Sequence, residues 1–465
     1  MKIQFHGASR GVTGSKHLIE TKRGAKILLD CGLFQGHRSE SKEKNRNFAF
    51  NPSELDAVVV GHAHIDHSGN LPNLVRHGFD KSIHATDPTD ALIHYMLPDS
   101  AYIQERDAEF INKKHKKRGL PPVAPLYTTA DALDAIRLTR PHPLDTWFEI
   151  ADGVEVKFVE AGHILGSALT MLRIKEGDKT IKLAYIVDLG RNDLPLLRDP
   201  HQIQDVDYAL IESTYGNRDH EDINEAKSQL ADVINRTYER GGKIIIPSFA
   251  VERTQEIMYF VHELTINNAI PRMKIFIDSP LAVNVTMVFR QYIDWFDKET
   301  KKIYSDGTDP FGSARLEYVR SVDRSKELNG ISEPFILISA SGMAEAGRIL
   351  HHLANNIENT KNTIMIVGFM AQNTLGRKLA DGWDEVPILG DKYKVKAEVF
   401  VSHAFSAHAD RTELHEYAKN LGNVKKLFVV HGEETQALEL GMHLQALPNV
   451  GEVVVPHEKD IAILE

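Results

Sequence analysis

The order of apolar and polar positions divides the chain into a strand-rich first part, a middle part where strands and helices alternate, and a strand-containing end. Residues 1 to 30 form short apolar runs separated by turn residues, which predicts an antiparallel meander that opens a sheet. From about residue 215, short β-branched runs alternate with helical stretches, which predicts a doubly wound parallel sheet. Near residue 395 strand character returns, as if a first domain were interrupted by a second. The predicted fold class is therefore α/β.

One local pattern repeats along the chain: a strand, then a side chain able to bind metal or transfer protons, then Gly or another small residue. It occurs at Asp30, His62, His163, Asp188 and Glu212. Strand ends that share a direction lie along one edge of a sheet. The repetition therefore predicts that these side chains share a site.

The densest candidate site is the segment His62-Ala63-His64-Ile65-Asp66-His67, hereafter the ligand turn. Alternation at the end of the preceding strand sends His62 and His64 to one side, while Asp66 and His67 belong to the next turn, so two adjacent coordination sites could be filled. Imidazole and carboxylate ligands suit zinc, and with more oxygen they suit manganese or iron. A single His after a strand is usually a polar cap on a loop, but four such side chains in one turn favour a metal site.

Composition narrows the chemistry of that site. A length of 465 residues is too great for one core and predicts two or three domains. Cys31 is the only cysteine, which excludes an intrachain disulfide and a thiolate cluster, so any metal must be held by His, Asp or Glu. The net charge of −10 argues against indiscriminate coating of nucleic acid, although bound divalent ions and local Arg and Lys residues can still attract a polyanion. Without a long apolar run or a signal peptide, we expect a cytoplasmic protein with no membrane partner.

The middle part contains candidate phosphate-binding turns. Small residues that follow a strand and precede a helix leave backbone N–H groups free for anions, and basic side chains after these turns could neutralise phosphates. The predicted residues are Ser248, Arg253, Ser341, Gly342, Arg348, Arg377 and Lys378. Ordinary turn chemistry is the alternative for any one of them, and several on one edge favour anion binding. The basic run Lys113 to Arg118 is interpreted first as a solvated helix end, with phosphate contact as the alternative.

The ligand turn, together with Asp30, His163 and Asp188, resembles in order and context the metallo-β-lactamase fold. That fold is an αββα sandwich with a two-metal site at one edge. The resemblance thus implies that the strand-rich parts of the chain form such a sandwich.

Three further motifs are similar to those of the β-CASP nucleases, which include the endonuclease subunit that cuts pre-mRNA at polyadenylation sites and its bacterial and archaeal relatives. They are Glu212 in Glu-Ser-Thr-Tyr-Gly, His408 in Phe-Ser-Ala-His-Ala-Asp and His431 in Val-His-Gly-Glu. The resemblance covers essentially the whole chain. It implies a sandwich built from 1–212 and 396–465, with an inserted doubly wound β-CASP domain at 213–395.

The resemblance also implies two zinc ions per chain, with manganese as the alternative. By position, the implied metal ligands are His62, His64 and His163 for one ion, Asp66, His67 and His431 for the other, and Asp188 as the bridge. Asp30 would orient ligand histidines. Glu212 would pair with His408, which would protonate the leaving oxygen, and Asp66 is counted with these two among the catalytic residues.

The implied activity is zinc-dependent hydrolysis of single-stranded RNA to a 3′-hydroxyl and a 5′-phosphate. The DNA-repair branch of the group has a small apolar residue where this chain has His431, so DNA is a less favoured substrate. Internal cutting is the first expectation and 5′-to-3′ exonucleolysis the alternative. A small-molecule hydrolase on the same sandwich would not need His408 or Glu212, and a non-catalytic RNA-binding subunit would have lost ligands. A homodimer is left open.

Overall fold

Two compact units make up the chain in the structure, a computed structural model. It describes residues 1–36, 38–368, 370, 373–402 and 405–465, without the side chains of residues 38–40, 42 and 224. The first unit comprises Met1–Asp193, Leu197–Asp219 and Ala407–Glu465, and the second comprises Leu194–Leu196 and His220–Ser406. The domain limits 1–212, 213–395 and 396–465 stay a prediction from the sequence. No helix in the described part of the chain is long and apolar enough to cross a membrane.

The first unit contains two β-sheets. In spatial order, one consists of Ile461–Ile463, Lys2–Gly7, Lys16–Glu20, Lys26–Leu29, Ala57–Val59, Ser82–Thr86 and Thr139–His142. The other consists of Val450–Val454, Val424–Val429, Tyr208–Ile211, Lys179–Ile186, Ala168–Glu176, Val154–Glu160 and Phe148–Ala151. The first three strands of the chain pair antiparallel, which confirms the predicted meander.

Apolar side chains from both sheets meet in one core, where Phe5, Ile27, Phe158, Leu183 and Phe428 are buried together. This is the packing expected when two sheets each carry apolar residues on one face. The α-helices of the unit are Arg38–Arg46, Ile65–Ser68, Leu71–Arg76, Asp87–Arg118, Thr129–Arg137, Arg411–Lys419 and Glu434–Gln445, and a 3-10 helix spans Pro52–Glu54. The last two α-helices bury apolar residues against the second sheet, so helices and sheets form layers, as in the predicted sandwich.

The second unit is built around a parallel sheet, as predicted. Its strands, in spatial order, are Leu316–Tyr318, Lys274–Ile277, Phe335–Ser339, Ile244–Pro247, Thr363–Val367 and Glu398–Ser402, and a separate hairpin joins Glu385–Ile388 to Asp391–Lys394. The α-helices are Ile223–Glu239, Arg253–Ile266, Pro280–Gln291, Lys298–Ser305, Val322–Glu327, Arg348–Asn356 and Leu375–Ala380, with 3-10 turns at Ile293–Trp295 and Leu328–Gly330.

One strand lies in a different sheet from the one that the sequence suggested. The family resemblance groups residues from 396 onward with the first domain, but Glu398–Ser402 pairs in parallel with Thr363–Val367 in the second unit. Val399 and Val401 pack against the apolar core of that unit, which accounts for the placement.

Parallel strand pairs bring the predicted site residues to the same end of each sheet. In the first sheet, Lys26–Leu29 and Ala57–Val59 are parallel, so Asp30 and the ligand turn follow neighbouring strand ends. In the second sheet, the strands that precede Asp188, Glu212 and His431 are parallel neighbours. The repeated pattern of strand followed by functional side chain therefore corresponds to a real edge in each sheet.

Candidate metal centre

Backbone hydrogen bonds hold the ligand turn in place. The N–H groups of Ser15, Cys31 and Leu33 donate to the carbonyl oxygens of residues 65–67 at 2.8 to 2.9 Å. A Cβ atom on Gly32 would lie 1.5 Å from the carbonyl oxygen of Asp66, so only glycine fits at this close approach. The residue before the second strand and the segment after the third strand therefore hold the turn in place.

A first group of donor atoms consists of His62, His64, His163 and Asp188, which the family resemblance implied as three ligands of one ion and the bridge. His64 Nδ1 lies 3.0 Å from His62 Nε2 and 3.3 Å from His163 Nε2. Asp188 Oδ2 lies 3.1 Å from His62 Nε2 and 3.4 Å from His163 Nε2. With metal–nitrogen distances of about 2.0–2.1 Å, the ligand atoms of a tetrahedral zinc ion lie about 3.3 Å apart. The spacing of this group therefore fits one such ion.

A second group consists of Asp66, His67 and His431. The Nε2 atoms of His67 and His431 are 3.0 Å apart, and Asp66 Oδ2 lies 3.8 and 3.7 Å from them. Asp188 Oδ2 lies 3.4 Å from His67 Nε2, so one carboxylate borders both groups. Its other oxygen, Oδ1, is buried and lies 3.3 Å from His431 Nδ1. Both oxygens of this carboxylate therefore face histidine nitrogens, and the donor set fits metal ions held on both sides of Asp188.

The protonation of the first group suits metal binding. Burial lowers the pKa of His64 to about 3 and also lowers the pKa values of His62 and His163. These imidazoles are therefore neutral at pH 7, the form in which histidine binds a metal.

The second group lies in a strongly negative environment. Burial by itself would lower the pKa of His67, but the carboxylates of Asp188, Asp30 and Asp66 outweigh it and raise that pKa to about 10. The same carboxylates would attract a metal ion, and metal binding displaces such protons. The site therefore has the charge that a divalent cation requires.

Asp30 holds His67 through a chain of hydrogen bonds. Its Oδ2 accepts from His67 Nδ1 at 2.7 Å and from the hydroxyl of Tyr185 at 2.7 Å, while Oδ1 accepts from the N–H of Gly61 at 2.9 Å. Ser15 Oγ lies 2.7 Å from the Tyr185 hydroxyl. A carboxylate on Nδ1 fixes the ring so that Nε2 faces the metal site, which is how buried carboxylates commonly support ligand histidines.

Glu212 and His408 form an ion pair at the border of the first group. His408 Nδ1 lies 3.0 Å from Glu212 Oε2 and 3.2 Å from Oε1, and Glu212 is fully buried. The His408 ring centre is 4.5 Å from that of His163. Burial would lower the pKa of His408, but Glu212 first, and then Asp188 and Asp66, raise it to about 9. His408 thus holds a proton at neutral pH next to the donor cluster.

Three supporting residues were not predicted from the sequence: Ser15, Tyr185 and Thr214. Thr214 Oγ1 donates to the carbonyl oxygen of His431 at 3.1 Å and lies 3.2 Å from its Nδ1. A signal was available for Tyr185, a polar side chain within the apolar run 183–187 just before Asp188, and for Thr214, which lies in the Glu212 motif. Neither signal indicates which residue of the site the side chain contacts.

The predicted phosphate-binding arginines of the second unit have protein partners. Arg348 Nη1 donates to Asp278 Oδ1 at 2.6 Å, and its Nη2 donates to the carbonyl oxygen of Arg320 at 2.7 Å. Arg253 is buried and forms an ion pair with Glu256. Arg348 therefore links the end of one strand to a neighbouring loop, and phosphate binding by either side chain stays a prediction.

The other predicted phosphate-binding residues differ in their contacts and in their burial. Arg377 Nε donates to Asp381 at 2.8 Å, and Lys378 Nζ lies 5.7 Å from the centre of the Trp383 ring. Ser248 is fully buried, Ser341 is partly exposed, and Gly342 is so close to the Phe249 ring that a Cβ atom would lie 2.7 Å from it. Each residue lies in the second unit, and their shared role also stays a prediction.

Comparison with known proteins gives three family matches. The Metallo-beta-lactamase superfamily matches residues 12–181, the Beta-Casp domain matches 254–379, and the Zn-dependent metallo-hydrolase RNA specificity domain matches 392–456. Among solved structures, the chain resembles a protein of unknown function from Enterococcus faecalis with a TM-score of 0.55 and 14% identity, covering 100% of this chain and 99% of that one. At that identity the likeness concerns the fold.

Several curated proteins are similar over nearly the whole chain. The chain is 35% identical over 444 residues to a protein named Ribonuclease TTHA0252 from Thermus thermophilus, covering 95% of each. It is 32% identical over 445 residues to an RNase J-like protein of Methanocaldococcus jannaschii, covering 95% of this chain and 94% of the relative. It is 31% identical over 449 residues to Transcription termination factor FttA of the same organism, covering 94% of this chain and 68% of the relative.

Proposed function

The chain belongs to the β-CASP ribonuclease family of the metallo-β-lactamase superfamily, and from this premise we propose that it is a zinc-dependent endoribonuclease. It hydrolyses phosphodiester bonds of single-stranded RNA and leaves a 3′-hydroxyl and a 5′-phosphate. The observation that carries the proposal is the Glu212–His408 pair, 3.0 Å between Oε2 and Nδ1, beside the Asp188 donor cluster. A small-molecule hydrolase would need the metal ligands but not this pair.

Two zinc ions per chain, with manganese as an alternative, are part of the proposal. His62, His64, His163 and Asp188 would hold one ion, and Asp66, His67, His431 and Asp188 the other. Bound there, the ions would supply an activated water and neutralise the phosphoryl oxygens. The spacing of the donor atoms and the negative charge around His67 support this assignment.

His408 supplies the proton for the departing oxygen. Because Glu212 engages Nδ1, the proton that His408 gives to the substrate comes from the other ring nitrogen, Nε2. A proton at Nε2 passes to the 3′ oxygen of the upstream nucleotide as its bond to phosphorus breaks, which gives a 3′-hydroxyl and leaves the phosphate on the downstream fragment. Glu212 stabilises the protonated ring and fixes its orientation.

The inserted domain is also part of the proposal. The Beta-Casp match at 254–379 lies within the predicted limits 213–395, and the RNA specificity match at 392–456 includes His408 and His431. This supports an RNA substrate over DNA.

The test is incubation of the zinc-loaded chain with single-stranded RNA labelled at the 5′ end in one sample and at the 3′ end in another. Internal cutting gives ladders of intermediate products from both labels, whereas 5′-to-3′ exonucleolysis releases the 5′ label as a mononucleotide at once. Treatment of the products with phosphatase and kinase identifies the end groups. For the variant His408→Ala the matched control is His415→Ala, because His415 is a partly exposed histidine on the helix Arg411–Lys419. Intact RNA together with turnover of a thioester or β-lactam would support the small-molecule hydrolase instead.

A further inference from the structure

The helix Asp87–Arg118, hereafter the long helix, leads away from the metal centre along the first unit. At its start, the hydroxyls of Thr86 and Thr89 donate to the carbonyl oxygen of Gly166, at 2.6 and 2.8 Å, in the loop that carries His163. A rise of 1.5 Å per residue places Lys113 about 40 Å further along the helix axis. The long helix therefore connects the surroundings of a metal ligand with a distant part of the surface.

Exposed aromatic and basic side chains form one stripe on this helix. The stripe consists of Tyr95, Tyr102, Arg106, Phe110, Lys113 and Lys117. At 100° per residue these positions fall within about 80° of arc, so they share one face. Tyr95, Tyr102 and Phe110 are 41%, 52% and 58% exposed, which is high for aromatic residues. The half-buried Asp99 lies on the same arc, and burial raises the pKa of its carboxyl.

Helix stability does not require this stripe. Basic residues in a last turn complement the helix dipole, which accounts for Lys116, Lys117 and Arg118 but not for the aromatic rings. The buried residues of the long helix end at Ala108, so the following turns do not cover a core. Isolated exposed apolar residues are ordinary, but three rings on one face followed by cations form a pattern of their own.

The outer end of the long helix is held in place by polar contacts. Asn112 Nδ2 donates to the carbonyl oxygen of Val123 at 2.9 Å, and the N–H of Val123 donates back to Asn112 Oδ1 at 2.7 Å. His115 Nδ1 donates to the carbonyl oxygen of Pro121 at 2.7 Å. These contacts fix the exposed stripe as a rigid surface.

The positive charge at the outer end of the long helix indicates the kind of partner that binds there. Residues 110–118 contain five Lys and Arg residues and no Asp or Glu, in a chain with a net charge of −10. Lys114 Nζ lies 4.2 Å from the Phe110 ring centre, and the Arg106 guanidinium lies 5.1 Å from that of Tyr102. Aromatic faces alternating with cations are how proteins bind single-stranded nucleic acid without sequence preference, because rings stack on bases and cations contact phosphates.

We propose that the aromatic–basic stripe of the long helix binds single-stranded RNA outside the metal centre and holds a long substrate while one of its bonds is cut. This inference rests on the proposed function, which supplies RNA as the ligand. The stripe acts only on RNA long enough to reach it. Short oligonucleotides are bound and cut without it.

The experiment uses the full zinc-loaded chain and two fluorescein-labelled RNAs of mixed sequence, one of about 30 nucleotides and one of 4. Binding is measured by anisotropy in a His408→Ala background to prevent cleavage, and turnover is measured without that change. The aromatic variant is Tyr102→Ala with Phe110→Ala, and the charge variant is Lys113→Gln with Lys117→Gln. Their matched controls are Tyr238→Ala, an exposed ring in the second unit, and Lys298→Gln with Lys302→Gln, two exposed lysines there.

We expect the aromatic variant to bind the long RNA at least tenfold more weakly, because it loses two rings on which bases stack. The charge variant should reduce the slope of log affinity against log salt by about 1.4, since each lost contact to a single strand removes about 0.7. Cleavage of the short RNA should be unchanged in both, and the controls should behave like the unmodified chain.

The outcomes separate this inference from the proposed function. If the unmodified chain binds and cuts the long RNA and the stripe variants do so equally well, the inference is wrong and the proposed function stands. The inference is also wrong if the variants lose short-RNA cleavage to the same extent, if the controls weaken binding equally, or if polyglutamate competes as well as RNA, which would indicate an acidic protein partner. If the unmodified chain neither binds nor cuts RNA, the proposed function itself fails.

Discussion

Glu160 gives a prediction about stability that can be worked out in detail. It ends the strand Val154–Glu160, just before the loop that carries His163. Its Oε1 accepts from the N–H of Gly162 at 3.2 Å, while Oε2 is buried with no hydrogen-bond partner among the described residues. Burial raises the pKa of Glu160 from 4.5 to about 7, although Gly162 and Arg198 lower it in part. The folded chain thus favours the neutral acid.

The size of the effect follows from this shift. A pKa change from 4.5 to about 7 corresponds to about 3 kcal/mol at 1.36 kcal/mol per unit. The folded chain binds the proton more tightly than the unfolded chain, so this contribution to stability is fully present below pH 4.5 and is lost as the pH rises through 7. The variant Glu160→Gln has no proton to lose at this position. Its free energy of unfolding, relative to the unmodified chain, should therefore rise by about 3 kcal/mol between pH 4.5 and 8.

A probe confined to the first unit makes the measurement interpretable. The chain has three tryptophans, of which Trp147 lies in the first unit and Trp295 and Trp383 in the second. In a background with Trp295→Phe and Trp383→Phe, fluorescence of Trp147 reports urea unfolding of the first unit. Glu155→Gln, on the same strand, is the control. A stability difference between Glu160→Gln and the unmodified chain that stays constant with pH would refute the reasoning.

Three further predictions concern the metal centre. His408→Ala should keep the full zinc content by elemental analysis while RNA cleavage slows by about 10²-fold or more, because the proton donor is lost; unchanged turnover would remove its acid role. Asp188→Asn should bind less metal, because one carboxylate borders both donor groups, and full zinc occupancy would contradict that bridging position. Asp30→Asn should weaken zinc binding by about 10–100-fold in competition with a chelator, through loss of the orientation of His67; equal affinity would show that the ring is held by other contacts.

The metal centre was largely predictable because its residues follow strand ends. His62, His163 and Asp188 each follow an apolar run. Such a run predicts a strand, and the end of the strand predicts where the side chain lies in the sheet. Because neighbouring strands pair in parallel, the residues that follow their carboxyl ends lie close together in space. The structure brings these side chains within 4.8 Å of one another, counted between donor atoms.

The supporting contacts were not predictable, because they depend on packing between sheets. Tyr185 lies in one sheet and Asp30 follows a strand of the other, and no local pattern indicates that the Tyr185 hydroxyl reaches the Asp30 carboxylate at 2.7 Å. The position of Arg348 after a strand-end turn suggests phosphate contact, but its guanidinium donates to Asp278, 70 residues earlier in the chain. Glu398–Ser402 is a similar case, since a short strand can add to either of two sheets and the choice is made by the core it covers.

The backbone that supports the ligand turn has a practical consequence for cofactor exchange. The N–H groups of Ser15, Cys31 and Leu33 already donate to its carbonyl oxygens. The ligand turn should therefore keep its conformation when the metal is removed with a chelator and by dialysis. Manganese, cobalt or cadmium can then be introduced into one and the same scaffold. Differences in turnover among such reconstituted samples would report the chemistry of each ion, separate from the shape of the polypeptide.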